Sequence, residues 1–289
     1  MSKFTLGKAE ISRVEEFTLP VDIADLVNDE NFVEKHQSWL APTFLDIATR
    51  KFPLVFQSYI VKLNNITLVI DPCVGNDKIR TSFDFINKLK TPYIERFEAT
   101  GTRPEDVDLV FCSHLHCDHC GWNTKLRNGH WVPTFPNARY VFVRREVERW
   151  DPRRPEHQPN PLHLGVFEDS VQPIIDAGLA DQVADRHFLT PDIEIEPAYG
   201  HTAGHSMLRL LSSGEEVFFV GDVFHHPLQI LRPDADFGSS EDPGMAAATR
   251  RHLRERLAAR NAWLVPGHFP KAGKITCGSE GEYGFNALI

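Results

Sequence analysis

The sequence predicts a layered α/β fold, and three observations predict it. Short apolar or alternating runs of strand length recur along the chain. Segments with helical spacing lie between them. Four of the strand-like runs end, within a few residues, in a side chain of metal-ligand type. Active sites of layered α/β folds gather at one sheet edge, where loops leave the strand ends, so this third pattern is what a shared site requires.

The strand-like runs are 56–63, 66–70, 109–112, 140–143, 193–197, 207–211, 217–220 and 263–265. Helical spacing covers about 78–90, 144–150, 168–178 and 244–260. The last of these opens after Asp242-Pro243 and places Ala246, Ala247, Leu253 and Leu257 on one face. Residues 150–164 hold prolines at 152, 155, 159 and 161 and read as an irregular loop. Residues 20–52 lack clean periodicity, and their Trp39, Phe44 and Phe52 either wall a pocket or pack on the core. No repeat, low-complexity tract or Gly/Ser linker interrupts the 289 residues. A single domain over 1–289 is expected, with an N-terminal arm of about 1–52 packing on it.

Composition narrows the function. The formal net charge is −9, which argues against a nucleic-acid backbone as partner, because phosphates need a basic surface. Arg144, Arg145, Arg149, Arg153 and Arg154 cluster, but Glu146, Glu148 and Asp151 interleave with them, so a solvated salt-bridged surface is expected. Residues 1–16 are too polar for a signal peptide, and no apolar run approaches a membrane span. The five cysteines have no regular spacing, and a reduced cytoplasmic setting is the expectation. Cys117-x-x-Cys120 lacks a second pair and reads as two small residues filling space.

The chemistry is concentrated in residues 114–119, His-Leu-His-Cys-Asp-His. Imidazole is the commonest zinc ligand, and carboxylate a regular companion. His114, His116, Asp118 and His119 are joined later by His201, Asp222 and His268, each just after a strand. Seven ligands exceed what one tetrahedral ion takes and suit two ions sharing a carboxylate. Gly200, Gly204, Gly221 and Gly267 flank the late ligands and permit sharp turns or close approach.

These motifs resemble the metallo-β-lactamase-fold superfamily, whose signature is His-x-His-x-Asp-His followed by a lone His, a lone Asp and a late His. All positions are matched, and the run Leu68-Val-Ile-Asp71 resembles the family's early strand ending in a supporting Asp. The resemblance spans about 55–270 and implies a four-layer αββα sandwich with a dimetal site at the edge between two sheets. It implies that His114, His116 and His201 bind one ion, that Asp118, His119 and His268 bind the other, and that Asp222 bridges. His205 takes a supporting place.

Within the superfamily, the bridging Asp222 and full His set look like the lactonase, arylesterase and organophosphate hydrolase branch. The resemblance then implies attack of a metal-bridging hydroxide on a carboxylic ester or lactone, with Asp118 steering the proton. A phosphotriester or phosphodiester substrate on the same site is the alternative, and an iron-dependent sulfur dioxygenase is the third reading. One departure stands out. The lactonases carry Tyr three residues after the bridging Asp, where this chain has His225, followed by His226. His225 either donates in place of that Tyr as a catalytic group or packs beside the ions, and Tyr199 is a further candidate donor. Two divalent ions are expected, zinc by default, although manganese, iron and cobalt fit similar ligands. An apolar substrate pocket is expected from the segment around Trp39 and Phe44, the Pro-rich loop after Trp150 and the stretch His225 to Ile230, with Trp39, Phe44, Trp150, His226 and Gln229 lining it. Homodimers are common in that branch, which makes one an expectation here.

Overall fold

The computed structural model describes residues 2–288. Sixteen strands run in chain order: β1 (Ser2–Leu6), β2 (Ala9–Asp22), β3 (Lys51–Leu63), β4 (Ile66–Ile70), β5 (Leu109–Phe111), β6 (Thr124–Arg127), β7 (His130–Pro133), β8 (Arg139–Val143), β9 (Ala180–Val183), β10 (His187–Thr190), β11 (Ile193–Pro197), β12 (Ser206–Ser212), β13 (Glu215–Phe219), β14 (Trp263–Val265), β15 (Gly273–Cys277) and β16 (Tyr283–Ala287). The helices are α1 (Glu30–Leu40), α2 (Tyr93–Glu98), α3 (Arg144–Trp150), α4 (Gln172–Asp176), α5 (Leu228–Leu231) and α6 (Pro243–Arg260). None of them is long and apolar enough to cross a membrane.

Two seven-stranded sheets form, one of β1-β2-β3-β4-β5-β8-β9 and one of β10 to β16 in sequence order without a break except the helices between β13 and β14. Alternation along the strands explains the layers. Val61, Leu68, Ile70, Phe111 and Val141 of the first sheet meet Ile195, Leu208, Leu210, Val217 and Phe219 of the second in one buried cluster. Residues of opposite parity face outward instead. Ile60, Val69, Val110 and Tyr140 pack under Tyr93, Phe97, Val147 and Ile174 from α2, α3 and α4. Phe218 and Leu264 pack under Val33, Leu228, Leu253 and Leu257 from α1, α5 and α6. Period-2 burial on both sheets thus produces helix, sheet, sheet, helix, the expected αββα sandwich.

Strand direction sets where the loops emerge. β4, β5 and β8 are mutually parallel. β11 is antiparallel to β12, β12 to β13, and β13 is parallel to β14. The C-terminal ends of β11, β13 and β14 therefore share one edge.

Two expectations need correction. Residues 2–22 are no appendage: β1 and β2 form the outer edge of the first sheet, and β2 pairs with β3 along most of its length. The helix expected over 78–90 does not form beyond a single 3-10 turn at Asp84–Ile86. Its apolar spacing is overridden because Lys78 and Arg80 turn inward to Asp169, Asn87 accepts from the Arg80 amide, and Lys88 adopts a φ of 52°. The helix expected over 168–178 does form, with a π-turn at Phe167–Val171 running into the short α4 and Pro173 at the junction.

Candidate metal centre

Asp71 follows β4, the His114 to His119 loop follows β5, His201 follows β11, Asp222 follows β13 and His268 follows β14. All these side chains converge at the edge between the two sheets. His114, His116, His201 and Asp222 bring ligand atoms within 4.8 Å of one another, and so do Asp118, His119 and His268.

Asp222 lies between the two sets. Its Oδ2 is 3.2 Å from His201 Nε2 and 3.7 Å from His114 Nε2. Its Oδ1 is 3.1 Å from His119 Nε2 and 3.1 Å from His268 Nε2. His201 Nε2 approaches His116 Nδ1 at 3.0 Å, and Asp118 Oδ2 stands 3.6 Å and 3.4 Å from the Nε2 atoms of His119 and His268. Ligands at about 2.0–2.1 Å from a tetrahedral zinc are separated by roughly 3.3 Å, so both clusters have the spacing of coordination shells. His114 Nε2 and Asp222 Oδ1 are buried without a hydrogen-bond partner, a cost that a cation would remove. The residues fit two divalent ions.

The outer nitrogens are held from behind. His268 Nδ1 meets the Val55 carbonyl at 2.9 Å, and the Val55 amide returns a bond to the His268 carbonyl. That contact assigns the proton to Nδ1 and leaves Nε2 free for the site. Asp71 accepts from the Ser113 amide and hydroxyl at 2.6 and 2.8 Å and sits 3.2 Å from His119 Nδ1. The Asp222 amide donates to His205 Nε2 at 3.1 Å, so His205 supports the loop and does not join the ligand set. Gly221 has φ 50°, and a Cβ there would sit 2.6 Å from Ser113 Oγ and 2.9 Å from His205 Nε2. Only glycine permits that approach.

Charge differs across the site. Burial, aided by neighbouring imidazoles, holds His114 and His116 well below the usual histidine range. Burial acts on His119 and His268 too, but Asp222 and Asp118 outweigh it and raise both. The surrounding imidazoles overcome burial at Asp222 and keep its carboxyl well below the carboxylate range.

A cavity of about 310 Å³ opens over the cluster. Its wall carries Val21, Leu54, Phe56, Phe83, Phe85 and Phe237, and its floor His116, Asp118, His201, Asp222, His225 and His268. No lysine or arginine lines it among the described residues. His225 Nε2 is 3.1 Å from Asp222 Oδ2, and burial lowers its pKa to about 4.

The expected pocket residues mostly lie elsewhere. Trp39 borders a different groove, with Phe32, His36 and Tyr283. Phe44 is buried among Phe269 and Phe285, in the core beneath the second sheet. Trp150 lies behind His116, its indole N–H donating to Glu146. His226 is sealed against the Phe44 carbonyl, and Gln229 is spent on the amides of His225 and His226 and the Ala235 carbonyl. Apolar character alone did not separate core from cavity in a segment without periodicity. Tyr199 donates to Asp185 at 2.5 Å and is absent from the cavity wall.

Glu146 is the main residue hidden from sequence reading. Surrounded by charged neighbours, it reads as surface, yet it is 1 % exposed. Its Oε1 accepts from the Leu115 amide and Trp150, and its Oε2 from Thr202 and the Gly204 amide. It thereby ties the His114 to His119 loop to the His201 loop. Other charges of that stretch do pair at the surface, as Arg149 with Glu241 and Arg153 with Asp151. Cys117 and Cys120 are buried free thiols.

Comparison with known proteins follows the same lines. The model of the metallo-beta-lactamase superfamily matches residues 56–268. The N-acyl homoserine lactonase AiiB of Agrobacterium fabrum is 25% identical over 114 residues, which is 35% of this chain and 40% of that protein. The chain thus aligns with well under half the length of this curated relative. Among solved structures, hydrolase AbOPH of the beta lactamase superfamily superposes with a TM-score of 0.80 at 20% identity, covering 99% of this chain and 97% of that one. AidC, a dizinc quorum-quenching lactonase in complex with a product, gives 0.78 at 19% identity, covering 100% and 97%. At these identities the structural likeness speaks for the fold.

Proposed function

The chain belongs to the metallo-β-lactamase superfamily, and on that premise we propose that it is a dinuclear-metal hydrolase of neutral carboxylic esters or lactones. The observation that carries the reading is Asp222, whose two oxygens each face a separate set of imidazoles. We assign His114, His116 and His201 to one ion, Asp118, His119 and His268 to the other, and Asp222 to both. Zinc is the ion this nitrogen-rich set suits.

Two bound cations would supply Lewis-acid polarisation of a carbonyl and a water made acidic enough to react at neutral pH. The chain's own residues do the rest. Asp118 Oδ, on the cavity floor, takes the proton that the attacking water loses. The apolar wall of Phe56, Phe83, Phe85 and Phe237 excludes water and receives an acyl or aryl group. His225, neutral at pH 7, donates from Nε2 to Asp222 Oδ2 and so orients the shared carboxylate. That use of Nε2 leaves Nδ1 bare, which makes His225 a positioning group for Asp222 and not a donor to the leaving group.

The lactonase activity of AiiB and AidC supports a lactone as the first substrate to try. Phosphotriester cleavage is the second reading, because a triester is neutral and the lining offers no lysine or arginine for an anionic diester. The test is proton release in a pH-stat with zinc-loaded protein on a lactone, an aryl ester and a phosphotriester, against Asp118→Ala and His119→Ala. Lactone or ester turnover that disappears in both variants is expected. Turnover of the phosphotriester alone would replace this reading with the second.

A further inference from the structure

His163 stands on the Pro-rich loop, in a 3-10 turn at Pro161–His163 capped by the Asn160 side chain on the Leu162 amide. It lies outside all three groups of side chains that could hold an ion. Its ring lies flat on His116, with centroids 3.9 Å apart and planes 3° apart, and Trp150 meets it edge-on at 5.4 Å. The Cys117 amide donates to its Nδ1 at 3.3 Å. A nitrogen that accepts an N–H carries no proton, so the neutral ring bears its hydrogen on Nε2. Among the described residues Nε2 has no hydrogen-bond partner, and it is not one of the sealed polar atoms. The residue lines the cavity over the metal cluster.

The other polar groups of the wall, outside the ligands and His225, are mostly committed. Ser240 donates to Asp236, Glu241 pairs with Arg149, and Asn160 Oδ1 is taken by Leu162. The Asn160 amide and the Ser239 hydroxyl remain, but neither is fixed on two sides as the His163 ring is. A donor held rigidly beside a candidate ligand costs little entropy to use.

We propose that His163 is a substrate-positioning residue whose Nε2–H binds a second acceptor on the substrate, a carbonyl next to the scissile ester. The preferred substrates are then neutral lactones or esters carrying an amide or similar acceptor beside the reacting carbonyl, with an apolar tail for the aromatic wall. This rests on the hydrolase reading above.

The test uses the zinc-loaded full chain and two probes: γ-butyrolactone bearing an N-hexanoylamino group at the α carbon, and the α-heptyl lactone, which lacks the amide. His163→Asn keeps an acceptor for the Cys117 amide but loses the reach of Nε2. His163→Gln keeps a donor at that reach. The expected result is a KM for the amide lactone raised about 3- to 10-fold in His163→Asn, the size of one neutral hydrogen bond. Its kcat stays within about two-fold, the heptyl lactone is unaffected, and His163→Gln recovers most of the loss. A merely structural role reverses the order of the two variants, or shifts both substrates equally, and either result overturns the assignment. Imidazole ¹H–¹⁵N correlation spectra at pH 7, with His163 identified by its loss in His163→Asn, give a second reading. The Nε2–H tautomer is expected, and an Nδ1–H tautomer or an imidazolium overturns the assignment whatever the kinetics. Wild type inert on both lactones would instead sink the lactone reading and this inference with it.

Discussion

The two sheets furnish the candidate metal cluster in different ways. The first sheet contributes His114, His116, Asp118 and His119 from one loop, after a single strand. The second contributes His201, Asp222 and His268 from three loops, one residue each. Their anchoring differs as well. The contiguous loop is clamped by side chains, Asp71 on Ser113 and Glu146 on the Leu115 amide. His268 is clamped by backbone, through the reciprocal pair with Val55, and Gln57 and Tyr59 reinforce the loop at the carbonyls of Pro266 and Phe269. A loop carrying four candidate ligands must have its curvature imposed from outside. A single candidate ligand next to a strand inherits its place from the strand.

Substitutions at the junction between the sheets test this contrast most severely. Asp222→Asn removes the carboxylate that faces both imidazole sets. It should lower turnover by more than the roughly 10–100-fold that loss of an outer partner costs, and metal analysis should find fewer than two ions per chain. Full activity with two ions retained would refute the shared role.

Glu146→Gln comes next. Either amide orientation aims an NH₂ at a backbone N–H, that of Leu115 or that of Gly204, so at least one buried donor loses its acceptor. Stability should fall by about 1–3 kcal/mol and metal affinity by roughly 10-fold or more, read by denaturant melts and chelator competition. Gln57→Leu should cost metal affinity less, because Val55 still holds His268 on both sides. Equal losses in the two variants would erase the distinction between side-chain and backbone clamps.

Acid stability probes the rim of the second sheet. Burial alone would raise Asp236, but the Ser240 hydroxyl and the Arg250 guanidinium outweigh it and bring the carboxyl to about 2. A depressed carboxyl contributes stability that is fully present above its ordinary pKa near 3.8 and is lost as pH falls towards 2. At most about 2 kcal/mol is at stake. Chelator-treated Asp236→Asn should therefore show a flatter loss of stability between pH 4 and pH 2 than the wild-type chain under the same conditions. The smallest effect is expected for Tyr199→Phe, whose hydroxyl is committed to Asp185. Its kcat/KM should stay within about two-fold, and a larger drop would return Tyr199 to the reaction.

Much of this was written locally. Eight strand runs lie within or closely overlap observed strands, and the 144–150 helix coincides with α3, because alternation and helical spacing act over a few residues. The residue types that gather at the sheet edge, and their chain order, were legible too, since His-x-His-x-Asp-His and the later His201, Asp222 and His268 after strands stand in the covalent chain itself. Tertiary structure alone decided what depends on distant partners. The 78–90 segment has apolar helical spacing but became a cavity wall, because Lys78 and Arg80 were drawn to the Asp169 carboxylate about ninety positions away. Glu146 looked solvated until two loops folded over it. Trp39, Phe44 and Trp150 went elsewhere, while Phe83, Phe85 and Phe237 took the wall. Residue type sets what a side chain can bind, and its own strand or helix sets which way it leaves the backbone. Whether it meets a ligand, a core or water is set by what the rest of the chain brings opposite it.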